Sequence, residues 1–218
     1  MSKLNSEKVK LFILKSEEKK FSFYYSVKEN KFKKTNVKVD KIPKNKWKSI
    51  NFISITNNFN LSPKNLPELF KDINLEKTFS DYQSKQFVRK KIGDINLMYK
   101  PDDLKHNNSH ISEILISEFL YKKSTKKEIF IVFINKKIII TVKERKKLLF
   151  YNQFEYKGRE YIKYILLVMN EYKIDKTSIS LIKSPELSNN HKKELDNFFK
   201  KIIIYKKSIF ELTNDYYE

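Results

Sequence analysis

The order of apolar runs between Glu128 and Tyr205 constrains this chain more than any other feature. Glu128–Ile134 (EIFIVFI) is short, almost wholly apolar and rich in branched and aromatic residues, which suits a strand covered on both faces. Asn135-Lys136 is a polar pair fit for a tight turn, and Lys137–Lys143 (KIIITVK) repeats the pattern. After the charged connection Glu144–Lys147, Leu148–Phe154 (LLFYNQF) reads as a third strand. The period then changes. Within Gly158–Lys173, Tyr161, Ile165, Val168 and Tyr172 fall on one broad helical face, with Ile162, Leu166 and Met169 beside them and Lys163 toward solvent. Thr177–Ile182 returns to strand character. Ser188 is an N-cap for a helix carrying Leu195, Phe198 and Phe199, and Ile202–Tyr205 closes the series.

This βββαβαβ order is the core of the ribonuclease-H-like unit from which actin-like proteins are built. The front of the chain follows the same plan. Val9–Leu14, Phe21–Val27 and Lys31–Val39 form a second triplet of strands, joined by charged turns at Ser16–Lys20 and Lys28–Asn30. Asn51–Thr56 is a further strand, entered near Trp47. Leu61–Phe70, with two prolines, reads as a loop feeding a short helix. Phe87–Lys91 and Asp94–Tyr99 are expected to pair across Gly93, and Ser109 to cap a helix whose apolar face is Ile111, Ile114, Leu115 and Phe119. The expected fold class is therefore α/β, with two actin-like (ribonuclease-H-like) halves. Residues 1–108 form a degenerate N-terminal half, 109–125 a connecting helix and 126–218 the C-terminal half.

An actin-like ATPase needs acidic, glycine-rich turns after the first strand of each half. Closely packed amides there approach phosphate, and a carboxylate holds hydrated magnesium. Here those turns read Lys15–Lys20 (KSEEKK) and Ile134–Lys137 (INKK), without glycine or aspartate. The adenosine-side loop, Ile182–Leu187 (IKSPEL), also lacks glycine; Gly93 and Gly158 are the only two in the chain. A ribonuclease-H-type nuclease needs carboxylates on the central strands to hold two metals. Val9–Leu14 and Ile129–Ile134 carry none, and Glu17 and Glu18 read as solvated. His106 and His110 stand four apart, a spacing that reaches one metal only on a helix, whereas Asn107-Asn108-Ser109 reads as loop. His191 is expected to be solvated. Tyr151, Phe154, Tyr156, Tyr161 and Tyr164 alternate as core residues do, which makes packing a better account than base stacking. No catalytic, cofactor-binding or metal-binding residue is assigned, and no cofactor is expected.

The net charge of +20, from 46 basic and 26 acidic residues, invites a polyanion partner. Yet only Arg89, Arg145 and Arg159 are arginines, the planar forks that suit bidentate recognition of base edges and phosphates. Lysine pairs such as Lys19-Lys20, Lys122-Lys123 and Lys192-Lys193 are scattered along the chain. The charge is read as compositional, with RNA binding through the lysine-rich surface as the alternative. With no cysteine, disulfides and thiolate chemistry are excluded. No apolar run approaches the roughly 18 residues that cross a bilayer, so no membrane is expected and the cytoplasm is.

One block carries a resemblance. Leu149–Tyr156 (LFYNQFEY), followed by Tyr161–Val168 (YIKYILLV) and Glu171-Tyr172, resembles a Bacteroidota family, the "domain of unknown function 3822" proteins, whose pattern there is LLFYNSFEY, an acidic helix start, YYILF and a late glutamate. Asn57–Phe70 resembles that family's NKFTLVP segment, and Asn96–His110 sits where it has a hydrophobic strand and a His-containing loop. The likeness spans most of the chain, and its specific part is Leu148–Tyr172. A family Ser-Gly-Glu turn is replaced by Lys183-Ser184-Pro185-Glu186, which puts any ligand role of that turn in doubt. The resemblance implies a fold similar to actin-like and pilus-assembly ATPases, and it implies no activity. The expectation is a catalytically inactive actin-like protein, not an enzyme, that acts as an adaptor for a protein partner.

Overall fold

Leu11, Phe12, Ile13 and Leu14 have no exposed surface, so the first apolar run of the chain is a strand covered on both faces. It lies third of five in its sheet. The computed structural model describes residues 9–16, 20–26, 29, 31–35, 47–64, 87–101, 107–175, 179–184 and 186–218. The chain divides into two units, Met1–Glu113 and Ile114–Glu218.

The described strands of the first unit are β1 Lys10–Lys15, β2 Lys20–Ser26, β3 Lys31–Thr35, β4 Ser49–Ser54, β5 Phe59–Pro63, β6 Val88–Ile92, β7 Ile95–Tyr99 and β8 Asn107–His110. Five of them form a sheet in the order β3-β2-β1-β4-β8. The pairs β1–β2 and β2–β3 are antiparallel, while β1–β4 and β4–β8 are parallel. Phe12 faces Phe23 across β1 and β2, with ring centroids 5.2 Å apart. Leu11, Ile13, Trp47, Ile50 and Phe52 make one core cluster. The edge strand β3 carries Lys31, Lys33 and Lys34, and Glu29 pairs with Lys31 and Lys33. Lysines on an edge oppose pairing with another chain.

A second, three-stranded sheet has the order β5-β7-β6. The hairpin expected across Gly93 forms, with Ile92 facing Ile95. Phe59–Pro63 was expected to be loop from Leu61 onward, and it is a strand paired with β7 instead. The prolines constrain only its end; alternating half-buried Phe59 and Leu61 fit a sheet face. The rest of the expected short helix, and residues 36–39 of the third strand, lie outside the described residues.

Helix α1, Ile111–Tyr121, follows β8 directly. Ser109 does not cap it, because Ser109 is a buried residue of β8 whose carbonyl accepts from Ser54 Oγ at 3.4 Å. The neighbouring histidine does the work: Ser112 N–H donates to His110 Nδ1 at 3.2 Å.

In the second unit, β9 Lys127–Ile134, β10 Lys137–Glu144, β11 Lys147–Glu155, α2 Glu160–Glu171, β12 Ile179–Lys183, α3 Asn189–Asp196, β13 Ile202–Ser208 and α4 Ile209–Tyr216 follow in that order. The expected βββαβαβ series is present, and α4 extends it. The sheet order is β11-β10-β9-β12-β13. Again the first three strands are antiparallel, and the last two run parallel to the central one. Ile129, Ile131 and Phe133 of β9 point to the face that packs α2 and α3, with Ile138, Ile140, Val142, Tyr161, Ile165, Met169 and Leu195 in the same cluster. On the opposite face Phe130 stacks on Phe119 of α1 at 4.1 Å, and Tyr205 of β13 meets both rings edge-on.

Local signals set the ends of these elements. Asn135 and Lys136 take φ of 53° and 56°, the left-handed pair that joins two strands in a two-residue hairpin. Gly158 has φ of 54° with open space around a hypothetical Cβ, so conformation and not crowding calls for glycine before α2. Ser188 caps α3 and Ser208 caps α4, each in a reciprocal capping box. Two positions differ from expectation. Leu166 is only half-buried beside the cluster, and Phe198 lies past the end of α3 with 48% of its surface exposed. Leu166 falls on the margin of the α2 face centred on Ile165, and Phe198 follows α3 and is not part of its Leu195 face.

Candidate functional site

The turn after the first strand of the second unit is where nucleotide chemistry has to be judged. Lys136 N–H donates to Glu186 Oε2 at 2.7 Å. Ser184 Oγ donates to the carbonyl of Phe133, and Leu187 N–H donates to the Ser184 carbonyl at 3.2 Å. The β9–β10 turn and the β12–α3 loop are thus bonded directly to one another. An amide that faces phosphate in an anion-binding turn is here occupied by the protein's own carboxylate. The side chain of Asn135 is buried and makes no hydrogen bond among the described residues. An orphaned buried amide of this kind costs about 1–3 kcal/mol. Lys137 is also buried, 3.7 Å from Glu155. The corresponding turn of the first unit includes residues 17–19, so Glu17 and Glu18 lie outside the described residues.

Beside the locked turn sits an aromatic cluster. The His191 ring stacks on Phe133 at 4.4 Å, and Tyr161 meets it edge-on at 5.2 Å. His191 was expected to be solvated; it is half-buried because its ring is the inner wall of α3's first turn. Its Nδ1 accepts from Ser188 N–H at 3.3 Å, which leaves the proton on Nε2, 3.4 Å from the Tyr156 hydroxyl. Tyr161 donates to Glu194, and Arg159 Nε donates to the same carboxylate at 3.0 Å. Burial pushes the Tyr156 hydroxyl up to about 12. Burial and then the Glu194 bond raise Tyr161 further, while the Tyr161 bond and then Arg159 hold Glu194 below the ordinary carboxylate value. Both phenols stay protonated at neutral pH; Tyr161 donates to Glu194, and the Tyr156 hydroxyl accepts from His191 Nε2. The tyrosines serve packing, as expected: Tyr161 is fully buried, and Phe154 stacks on Tyr164 at 4.7 Å.

Two further buried polar groups are joints. Lys143 is fully buried; its Nζ donates to the carbonyls of Phe119 and Lys122 at 2.7 and 2.6 Å and lies 3.3 Å from Glu128. It caps the C-terminal end of α1, where a cation meets unsatisfied carbonyls. His110 is fully buried between Phe59 and Tyr99, with ring centroids 4.8 and 5.5 Å away. Its Nε2 donates to the Thr56 carbonyl at 3.0 Å and its Nδ1 faces Ser112 Oγ at 2.7 Å. His106 lies outside the described residues. Among the described residues no group of three or more His, Asp or Glu side chains converges, and no helix is long and apolar enough to cross a membrane.

Glu186 was missed as a partner for the turn, although its place in the departed Ser-Gly-Glu motif was the available signal. Lys143 was missed because a lysine ending a strand reads as solvated.

Residues 98–202 match the family described as "Protein of unknown function (DUF3822)". That stretch contains the whole of the specific sequence block, Leu148–Tyr172. A solved Bacteroides thetaiotaomicron protein of unknown function, described as having an actin-like ATPase fold, matches with a TM-score of 0.64 at 19% identity, covering 92% of this chain and 91% of that one. The fold is actin-like. A conserved Campylobacter jejuni protein assigned to the Baf family of transcriptional activators matches with a TM-score of only 0.36 at 11% identity, covering 94% and 96% of the two chains. No curated protein matches the chain.

Proposed function

We propose that this is a catalytically inactive actin-like protein, with two ribonuclease-H-like halves and a degenerate nucleotide site, that works in the cytoplasm as an adaptor for a protein partner and not at a membrane. One observation carries the reading: Glu186 and Ser184 bond to the β9–β10 turn at Lys136 N–H and the Phe133 carbonyl. Phosphate would have to displace a carboxylate from that amide without a glycine turn to receive it. The repeated strand order supports the two-half description, since both five-stranded sheets place their first three strands in reverse and their last two beyond the first. What remains is a folded scaffold whose use lies on its surfaces.

Isothermal titration with Mg-ATP tests the inactive site. No binding and no phosphate release are expected, and a micromolar constant would overturn the reading. RNA is the competing outcome for the partner. A salt titration on two unrelated RNAs and a ribosomal fragment separates the two, because scattered lysines supply counterion release without base reading. The adaptor reading expects equal, steeply salt-dependent affinities. A preference of about a hundredfold for the ribosomal fragment at physiological salt, on the order of 2.7 kcal/mol, would replace it with specific RNA binding.

A further inference from the structure

Helix α2 is apolar on more of its circumference than one packed face requires. Tyr161, Ile162, Ile165, Val168 and Met169 are buried against the sheet, yet Leu166 is half-buried and Leu167 is 56% exposed on the outer side. A helix on the surface of a soluble domain ordinarily turns polar residues outward there. Phe198, 48% exposed, stands beside Leu166 and Leu167, and together with Ile162 they line one groove of 490 Å³. From Ile162 to Asn170 the groove follows about 12 Å of helix, at 1.5 Å per residue. Leu167 and Phe198, exposed along the same groove, offer two apolar anchor points to an occupant.

The charge at the groove says what fits it. Its charged lining side chains are Arg159 and Lys163, with no acid. Arg159 is matched by Glu194, whereas Lys163 makes no ion pair among the described residues. A second copy docked face to face would bring the same cations together, and each copy carries a net charge of +20. An acidic occupant meets neither penalty.

We propose that this groove on the outer face of α2 docks an amphipathic helix of a partner protein, apolar at positions i, i+3, i+4 and i+7 and acidic on its flanks. Leu166, Leu167 and Phe198 receive the apolar anchors, as helix-in-groove recognition requires, and Lys163 selects for negative charge. The inference deepens the adaptor reading and rests on it.

A randomised helical peptide library displayed on phage, selected on the intact protein, provides the probe. Enriched peptides are expected to be acidic, with that apolar spacing. Leu167→Asp and Phe198→Asp, both at exposed positions, are each expected to weaken them by about tenfold or more. Lys163→Glu is expected to shift selection toward basic peptides, and unchanged circular dichroism confirms that the variants are folded. No enrichment, enrichment of basic or neutral sequences, or equal binding by Leu167→Asp would overturn the proposal. So would concentration-dependent dimerisation abolished by Leu167→Asp, which assigns the face to a second copy. Calorimetry with Mg-ATP on the same preparations keeps the two readings apart: nucleotide binding with intact peptide capture sinks the inactive site alone, and silence in both assays sinks the groove alone.

Discussion

The two units run the same five-strand order through different surroundings. In the second, β12 and β13 are reached through α2 and α3, which seal one face of the sheet over a continuous cluster from Ile129 to Phe199. In the first, the passage from β4 to β8 carries the separate β5-β7-β6 sheet, and the cluster around Leu11, Trp47 and Phe52 is smaller among the described residues. Strand order belongs to the sheet itself and survives such exchange. In the second unit the turn that would meet phosphate is a tight hairpin bonded to a neighbouring loop. The topology fixes where these turns lie and leaves open which side chains they carry.

The largest effects test whether each unit has its own core. Phe52→Ala in the first unit is expected to cost about 3–5 kcal/mol and Ile165→Ala in the second about 2–5 kcal/mol, since both side chains are almost wholly buried. In urea denaturation the double variant should add to within about 0.5 kcal/mol, as sites with no shared partner do. A strong departure from additivity would break the picture of two separate cores.

Legibility in the sequence followed the same division. In the second unit β9 and β10 are nearly unbroken runs of branched and aromatic residues joined by the polar pair Asn135-Lys136, so period and turn chemistry agreed, and Ser188 was found at its cap. In the first unit Leu61–Phe70 looked like loop because it holds two close prolines, and only the partner β7 shows that Leu61–Pro63 belong to a strand. Ser109 looked like a cap because serine is the commoner capping residue. Tertiary bonding gave that role to His110. The locked turn was half visible: the missing glycines could be read, but Glu186 reaching Lys136 across 50 residues could not.

Lys143 offers the next test, confined to the second unit. Lys143→Ala strips the Phe119 and Lys122 carbonyls of their donor and leaves Glu128 without its cation. A loss of about 1–3 kcal/mol is expected by chemical denaturation, the cost of leaving buried carbonyls without their donor. A neutral result would show that α1 ends without needing this cap.

Finer resolution comes from α2. Leu166→Ala, at a half-buried position, should cost about 1 kcal/mol, well under the loss at Ile165. Lys163→Ala should stay within about 0.5 kcal/mol. Equal melting shifts for Ile165→Ala and Leu166→Ala would place the helical face wrongly and close the groove proposed above.

The smallest expected change is a gain. Lys136 holds φ of 56°, which costs a side chain and suits glycine. Lys136→Gly should raise stability by about 0.5–1 kcal/mol in thermal unfolding. It should still confer no nucleotide binding, because Glu186 keeps the amide.

That amide allows the most direct test of the inactive site. In 15N-labelled protein the Lys136 amide resonance should stay unmoved when millimolar Mg-ATP is added, because its proton is held by Glu186. A saturable shift of that resonance, with Glu186 released from the turn, would contradict the account and restore a nucleotide site to this fold.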